Sequence, residues 1–130
     1  MGRKFGWRSG KVTAHRVNTE TLDTSSGGKQ IVKYRAMTAS GAILSTDHII
    51  GVDTSSSGAS AAVTLTIASG AYSDTGRIII INDEGGDSAS NAITIATEDS
   101  STIDGSATAT INTNNSTLGL YSNGTNWFSY

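Results

Sequence analysis

The strongest constraint on this chain lies in its last third, where short β-branched runs alternate with clusters of turn-forming residues. Arg77-Ile-Ile-Ile-Ile-Asn-Asp-Glu-Gly-Gly is followed by Asn91-Ala-Ile-Thr-Ile, then by Ser101-Thr-Ile-Asp-Gly-Ser. The stretch ends on Leu118-Gly-Leu-Tyr-Ser-Asn-Gly-Thr-Asn-Trp-Phe-Ser-Tyr130. Runs of this length, bounded by Gly, Asn, Asp and Ser, predict antiparallel strands joined by tight turns. Asn123-Gly124 meets the positive-φ requirement of a type I′ hairpin turn. Leu118 and Leu120 lead into that turn and Trp127, Phe128 and Tyr130 leave it, so the sheet is expected to close on its most aromatic strand.

Upstream of this stretch the alternation continues. Val63, Leu65 and Ile67 alternate with Thr64 and Thr66, the pattern of a half-buried strand. His48, Ile50 and Val52 share one face of another strand, with Ile49 on the other. Ile78, Ile79, Ile80 and Ile81 do not alternate, which predicts burial on both faces, in a central strand or against a neighbouring subunit. Ala107, Ala109 and Ile111 offer small side chains suited to close packing near a symmetry axis. No segment sustains a 3.6-residue stripe between caps, so helices are not expected.

The order of these pieces, above all Thr102-Ile-Asp-Gly105 and Ser122-Asn-Gly-Thr-Asn-Trp127, resembles the C-terminal β-modules of tailed-bacteriophage virion proteins. These include tail fibres, head fibres and capsid decoration proteins, and the resemblance covers residues 47–130. It implies a homotrimeric module displayed on the virion surface. It does not imply a position on the particle.

Composition supports a shared core. Only 36% of the 130 residues are hydrophobic, little for a chain that must build a core alone. Small domains commonly make up such a deficit by oligomerising. Cysteine is absent, which excludes disulfides and cysteine-ligated zinc. No run approaches the length of a membrane-spanning helix, and no apolar segment follows the basic N-terminus as in a signal peptide.

Charge divides the chain. Residues 1–35 carry eight cations against two carboxylates, +6, and residues 36–130 carry one against nine, −8. Different charges at the two ends predict different surroundings. Residues 1–46 therefore read as a basic arm and 47–130 as the body. Arg3, Lys4, Phe5, Trp7 and Arg8 combine the residue types enriched at interface hot spots, and they are the candidate virion-attachment residues. The other reading is that they pack on their own trimer. Lys11–Leu22 and Gln30–Met37 alternate around the turn Asp23-Thr-Ser-Ser-Gly-Gly28, which suggests a hairpin in the arm. Thr38–Ser45 reads as its connector to the body.

Catalytic chemistry finds little support. His15 and His48 lie in different units, and no serine sits in a Gly-x-Ser-x-Gly elbow. Asp83, Glu84, Asp87, Glu98 and Asp99 fall in turn-like loops rather than as a glycosidase pair. Asp83, Glu84 and Asp87 offer oxygen ligands for calcium, but their spacing matches no EF-hand. The chain is therefore read as non-enzymatic, with no cofactor and no metal site. The acidic body disfavours nucleic acid, so the expected partners are two identical copies and the major capsid protein or another virion protein. Trp127, Phe128 and Tyr130 read first as core. Their alternative role is a stacking platform for host glycan, as in a short tail fibre that binds a receptor. The expected fold is all-β: a small antiparallel sandwich or jelly-roll-like module with an extended N-terminal arm. Ile78–Ile81, Trp127 and Phe128 are the expected core and trimer-packing residues.

Overall fold

In a computed structural model of the chain, residues 31–69 and 75–130 are described. They are all-β. The strands are β1 (Tyr34–Met37), β2 (Gly41–Ile43), β3 (Ile49–Val52), β4 (Val63–Ile67), β5 (Ile78–Asp83), β6 (Ile93–Thr97), β7 (Thr108–Ile111), β8 (Thr117–Ser122) and β9 (Trp127–Ser129). They make two sheets, β1-β3-β5-β8-β9 and β2-β4-β6-β7, around one apolar core.

The expected sandwich is present, but its topology is not the antiparallel or jelly-roll one. From β1 to β6 the chain crosses to the other sheet after every strand, so β1, β3 and β5 are parallel neighbours, as are β2, β4 and β6. A parallel pair needs a crossover between its strands. Here that crossover is a strand of the opposite sheet, and the chain winds rather than folding back. Only the last three strands reverse, with β7 antiparallel to β6, β8 to β5 and β9 to β8. Both sheets are therefore mixed.

Two upstream expectations change with this winding. Thr38–Ser45 is not a plain connector, because it contains β2, which pairs with β4 and buries Ile43 completely. Tyr34–Met37 pairs in parallel with β3, and the hairpin partner expected at Lys11–Leu22 lies outside the described residues. One compact unit runs from Ile31 to Tyr130, so the expected boundary between residues 46 and 47 falls inside it.

The core is built in ladders across the sheets. Val63, Ile93 and Ile111 share one inward row, and Leu65, Ile95 and Ala109 share the next. In the other sheet Ile50 stands beside Ile81, and Ile79 beside Leu120. All the larger members of these rows are buried. The outward face of the four-stranded sheet carries Ala42, Thr64, Thr66, Thr94, Ala96, Thr108 and Thr110. It consists wholly of small and hydroxyl-bearing side chains. At the β1 edge the inward position holds Arg35. Its Nη2 lies 2.6 Å from the buried carboxylate of Asp47 and donates to the carbonyl of Ala42 at 2.7 Å. An inward charge on an edge strand disfavours pairing with a foreign strand.

The two turns in the resembling motifs differ. Asp104 (φ 50°) and Gly105 (φ 82°) are the central residues of a tight turn closed by reciprocal backbone bonds between Ile103 and Ser106, the type I′ arrangement. The Asn123-Gly124 hairpin is also present, joining β8 to β9, but as a four-residue loop in which only Gly124 (φ 94°) takes positive φ. Asn123 acts through its side chain instead. Its Oδ1 accepts the N–H groups of Thr125 (3.0 Å) and Asn126 (2.8 Å). Such an Asx bond provides the reversal without a second positive φ.

Candidate functional site

The outward face of the five-stranded sheet differs from its threonine-clad counterpart. Alternation along β5 sends Ile79 and Ile81 into the core and leaves Ile78 and Ile80 outside. The register then places Tyr34, Ile49, Ile80 and Gly119 in one row across the sheet. Ile78, Tyr121 and Phe128 form a second row. Ala36, Gly51, Asn82 and Thr117 form a third, in which Thr117 Oγ1 donates to Asn82 Oδ1 at 2.6 Å.

The aromatic side chains on this face organise one another. Tyr121 and Phe128 stack with centroids 5.5 Å apart, and Tyr130 lies 6.4 Å from Tyr121 in a tilted arrangement. Offset and tilted pairs suit the ring quadrupoles. Gly119 lies beneath them, and a Cβ there would lie 2.7 Å from Cζ of Tyr130 and push that ring aside. The missing side chain lets the ring lie against the backbone of β8. At the other margin Tyr34 donates its hydroxyl to Glu84 Oε2 at 2.8 Å. That bond to Glu84, helped by burial and the carboxylate charge, raises the Tyr34 pKa. The carboxylate of Glu84 occupies the space that a side chain at Gly51 would fill. Tyr34, Ile78, Tyr121 and Tyr130 remain 48%, 39%, 42% and 68% exposed.

The acidic loops behave differently. Burial opposes ionisation of Asp83, but bonds from Ser88, Asn115 and Gly86 outweigh it and hold its pKa below the ordinary carboxylate range. The backbone N–H groups of Gly86, Ser88 and Asn115 lie 2.9, 3.2 and 3.0 Å from its oxygens. Asp83 therefore ties the 84–92 loop to the loop before β8. Asp53 is lowered by the hydroxyl and the N–H of Ser55. Asp87 accepts from Asn91 Nδ2, which also donates to the carbonyl of Thr54. The three acids weighed as calcium ligands thus point to different partners, and no metal-binding group of three converges among the described residues. A shallow cleft of about 220 Å³ at the β7–β8 loop is lined by Thr110, Ile111, Asn112, Thr113, Ser116, Thr117 and Leu118. It offers hydrogen bonds but no titratable side chain.

The sequence-derived residues sort into three groups. Arg3, Lys4, Phe5, Trp7 and Arg8 lie outside the described residues. Ile79, Ile81 and Trp127 are interior, Trp127 with no exposure at all. Ile78, Ile80 and Phe128 belong to the outer face. The expected burial of the isoleucine run on both sides thus splits into a core side and a half-covered outer side. Sequence reasoning missed Tyr34, Ile49 and Tyr121 as members of this face. Each sits at the outward parity of its strand, and the cross-strand register is what collects them.

The two turn-rich pieces around Asp104 and Gly124 also meet. Trp127 N–H donates to the Thr102 carbonyl (2.8 Å) and Asp104 N–H to the Trp127 carbonyl (3.0 Å). Asn126 Oδ1 accepts from Thr102 N–H at 2.9 Å and from its hydroxyl at 3.1 Å. Asp104 Oδ2 accepts the Ser129 hydroxyl at 2.6 Å. Residues 102–104 thus cover the outer edge of β9. Searched against protein families and curated proteins, the chain matches no family model and no curated protein at a significant level.

Proposed function

We propose that this chain is a non-enzymatic structural protein of a tailed-bacteriophage virion, a homotrimeric capsid decoration protein or head fibre. In this reading residues 31–130 form the displayed body and the basic N-terminal segment attaches it to the major capsid protein or another virion protein. One observation carries most of the weight. Thr102–Gly105 and Ser122–Trp127, the most specific parts of the resemblance, interlock through hydrogen bonds into a single closure. In the fold they form one structural unit, which supports reading them as parts of a single module. Antibody-gold labelling of intact virions tests the reading. Regular labelling over the particle supports it, and label found only outside particles overturns it.

A second reading is a short tail fibre or receptor-binding protein for host glycan. It is favoured by Tyr121, Phe128 and Tyr130 lying together on a face that also carries Asn82 and Glu84. Trp127 takes no part, because it is buried. Glycan-array binding lost in Tyr130→Ala, together with labelling at the tail tip, is the result that selects this alternative.

A further inference from the structure

We infer that the outer face of the five-stranded sheet is the surface through which identical copies of this chain pack on one another. The inference rests on the trimeric reading above and adds the face that makes the contact.

Three observations point to a second copy as the occupant. The first is the contrast between the two outward faces. The four-stranded sheet presents only threonine and alanine, whereas this face presents isoleucines at its centre and tyrosines around them. An aromatic side chain presents about 150–250 Å². On that scale the three exposed tyrosines and the neighbouring isoleucines offer on the order of 500 Å², the upper range of an apolar patch left open on a single chain. One side of a standard interface is larger, about 800 Å², so the polar margin of the face joins the contact.

The second observation is charge. Residues 31–130 hold three cations against nine carboxylates, −6. Asp53 and Asp87 lie in loops at one end of the sheets, and Glu98, Asp99 and Asp104 in the loop between β6 and β7. Contact between copies through those loops would set like charges together. The face itself carries one carboxylate, Glu84, at its margin and already bonded to Tyr34. Both outward sheet faces avoid that repulsion, and of the two only this one also offers apolar side chains to bury. The third observation is chemical. Ile49, Ile78 and Ile80 have no ring to stack on a sugar, but branched aliphatic side chains with surrounding tyrosines suit a protein contact.

The test uses the full chain. At micromolar concentration, sedimentation equilibrium is expected to give three times the 13.4 kDa chain mass. Ile80→Lys and Tyr121→Glu are expected to reduce this to one chain mass while keeping the β circular-dichroism spectrum. Thr66→Lys, on the opposite face, should leave the trimer intact. Because the chain has no cysteine, single substitutions also report contact directly. Tyr121→Cys should be linked between chains by a short bismaleimide and Thr66→Cys should not, which decides the matter even if a lysine variant unfolds. A monomeric wild type removes both the trimer and this face. A trimeric wild type that persists in both face variants, or that cross-links only through Thr66→Cys, overturns the face and leaves the trimer standing.

Discussion

Trp127 shows how one side chain can close a sheet. It is wholly buried, its backbone joins β9 to residues 102–104, and its indole packs among the isoleucines of the core. Replacing it with alanine is expected to cost roughly 3–5 kcal/mol, the range for large aromatic truncations, and a thermal melt should register it as a large drop in Tm. Asp83 stabilises by charge rather than by volume. Its folded pKa is depressed, so its contribution is fully present above the unfolded carboxylate value of about 4 and is lost as pH falls through the folded value. Asp83→Ala leaves three N–H groups without their acceptor and should cost on the order of 3 kcal/mol at neutral pH. Melting curves at pH 7 and pH 3 should differ less for the variant than for the wild type.

Among the elements, β1 and β2 change what can be removed from the chain. Both precede residue 46, yet they supply an edge to each sheet and bring Met37 and Ile43 into the core. A chain starting at Thr46 would expose the flanks of β3 and β4 and lose the Arg35–Asp47 pair. It is expected to be insoluble or molten, whereas one starting at Ile31 should fold. Limited proteolysis and circular dichroism of the two chains check this. The strands themselves were legible in sequence, because Val63, Leu65 and Ile67 can alternate only as a strand does. Their direction was not. Inward and outward parity is the same in parallel and antiparallel pairs, and β2 is a three-residue strand hidden in a small, polar run. The type I′ turn at Asp104-Gly105 and the hairpin at Asn123-Gly124 both follow from residue type. The type I′ geometry expected at Asn123-Gly124 is not adopted, because Asn123 reverses the chain through its side chain and only Gly124 takes positive φ.

For the molecule as a whole, the uneven charge bears on the proposed attachment to a virion. Arg3, Lys4 and Arg8 stand in a strongly cationic segment, and Phe5 and Trp7 lie between them. Reversing the three charges should weaken binding to particles stripped of the native protein, with a larger effect at low salt, where exposed charges are less screened. Phe5→Ala with Trp7→Ala should weaken it at any salt concentration. Pelleting assays across a salt series separate the two. The apolar outer face was legible only in part. The isoleucine run announced a surface with two apolar sides, but Tyr34, Ile49 and Tyr121 come from strands far apart in sequence and meet only through the register.

The winding from β1 to β6 has a consequence for how such a body changes size. Each new strand is laid beside a same-direction predecessor, so one further circuit would add a strand to both sheets and lengthen the body by about 4.8 Å. The antiparallel end, with its interlocked Asp104 and Trp127, would not need to change. Duplication of one circuit would leave the hydroxyl-rich and aromatic sides in place. A lineage could thus lengthen the body in whole turns while keeping the same two surfaces and the same closing end.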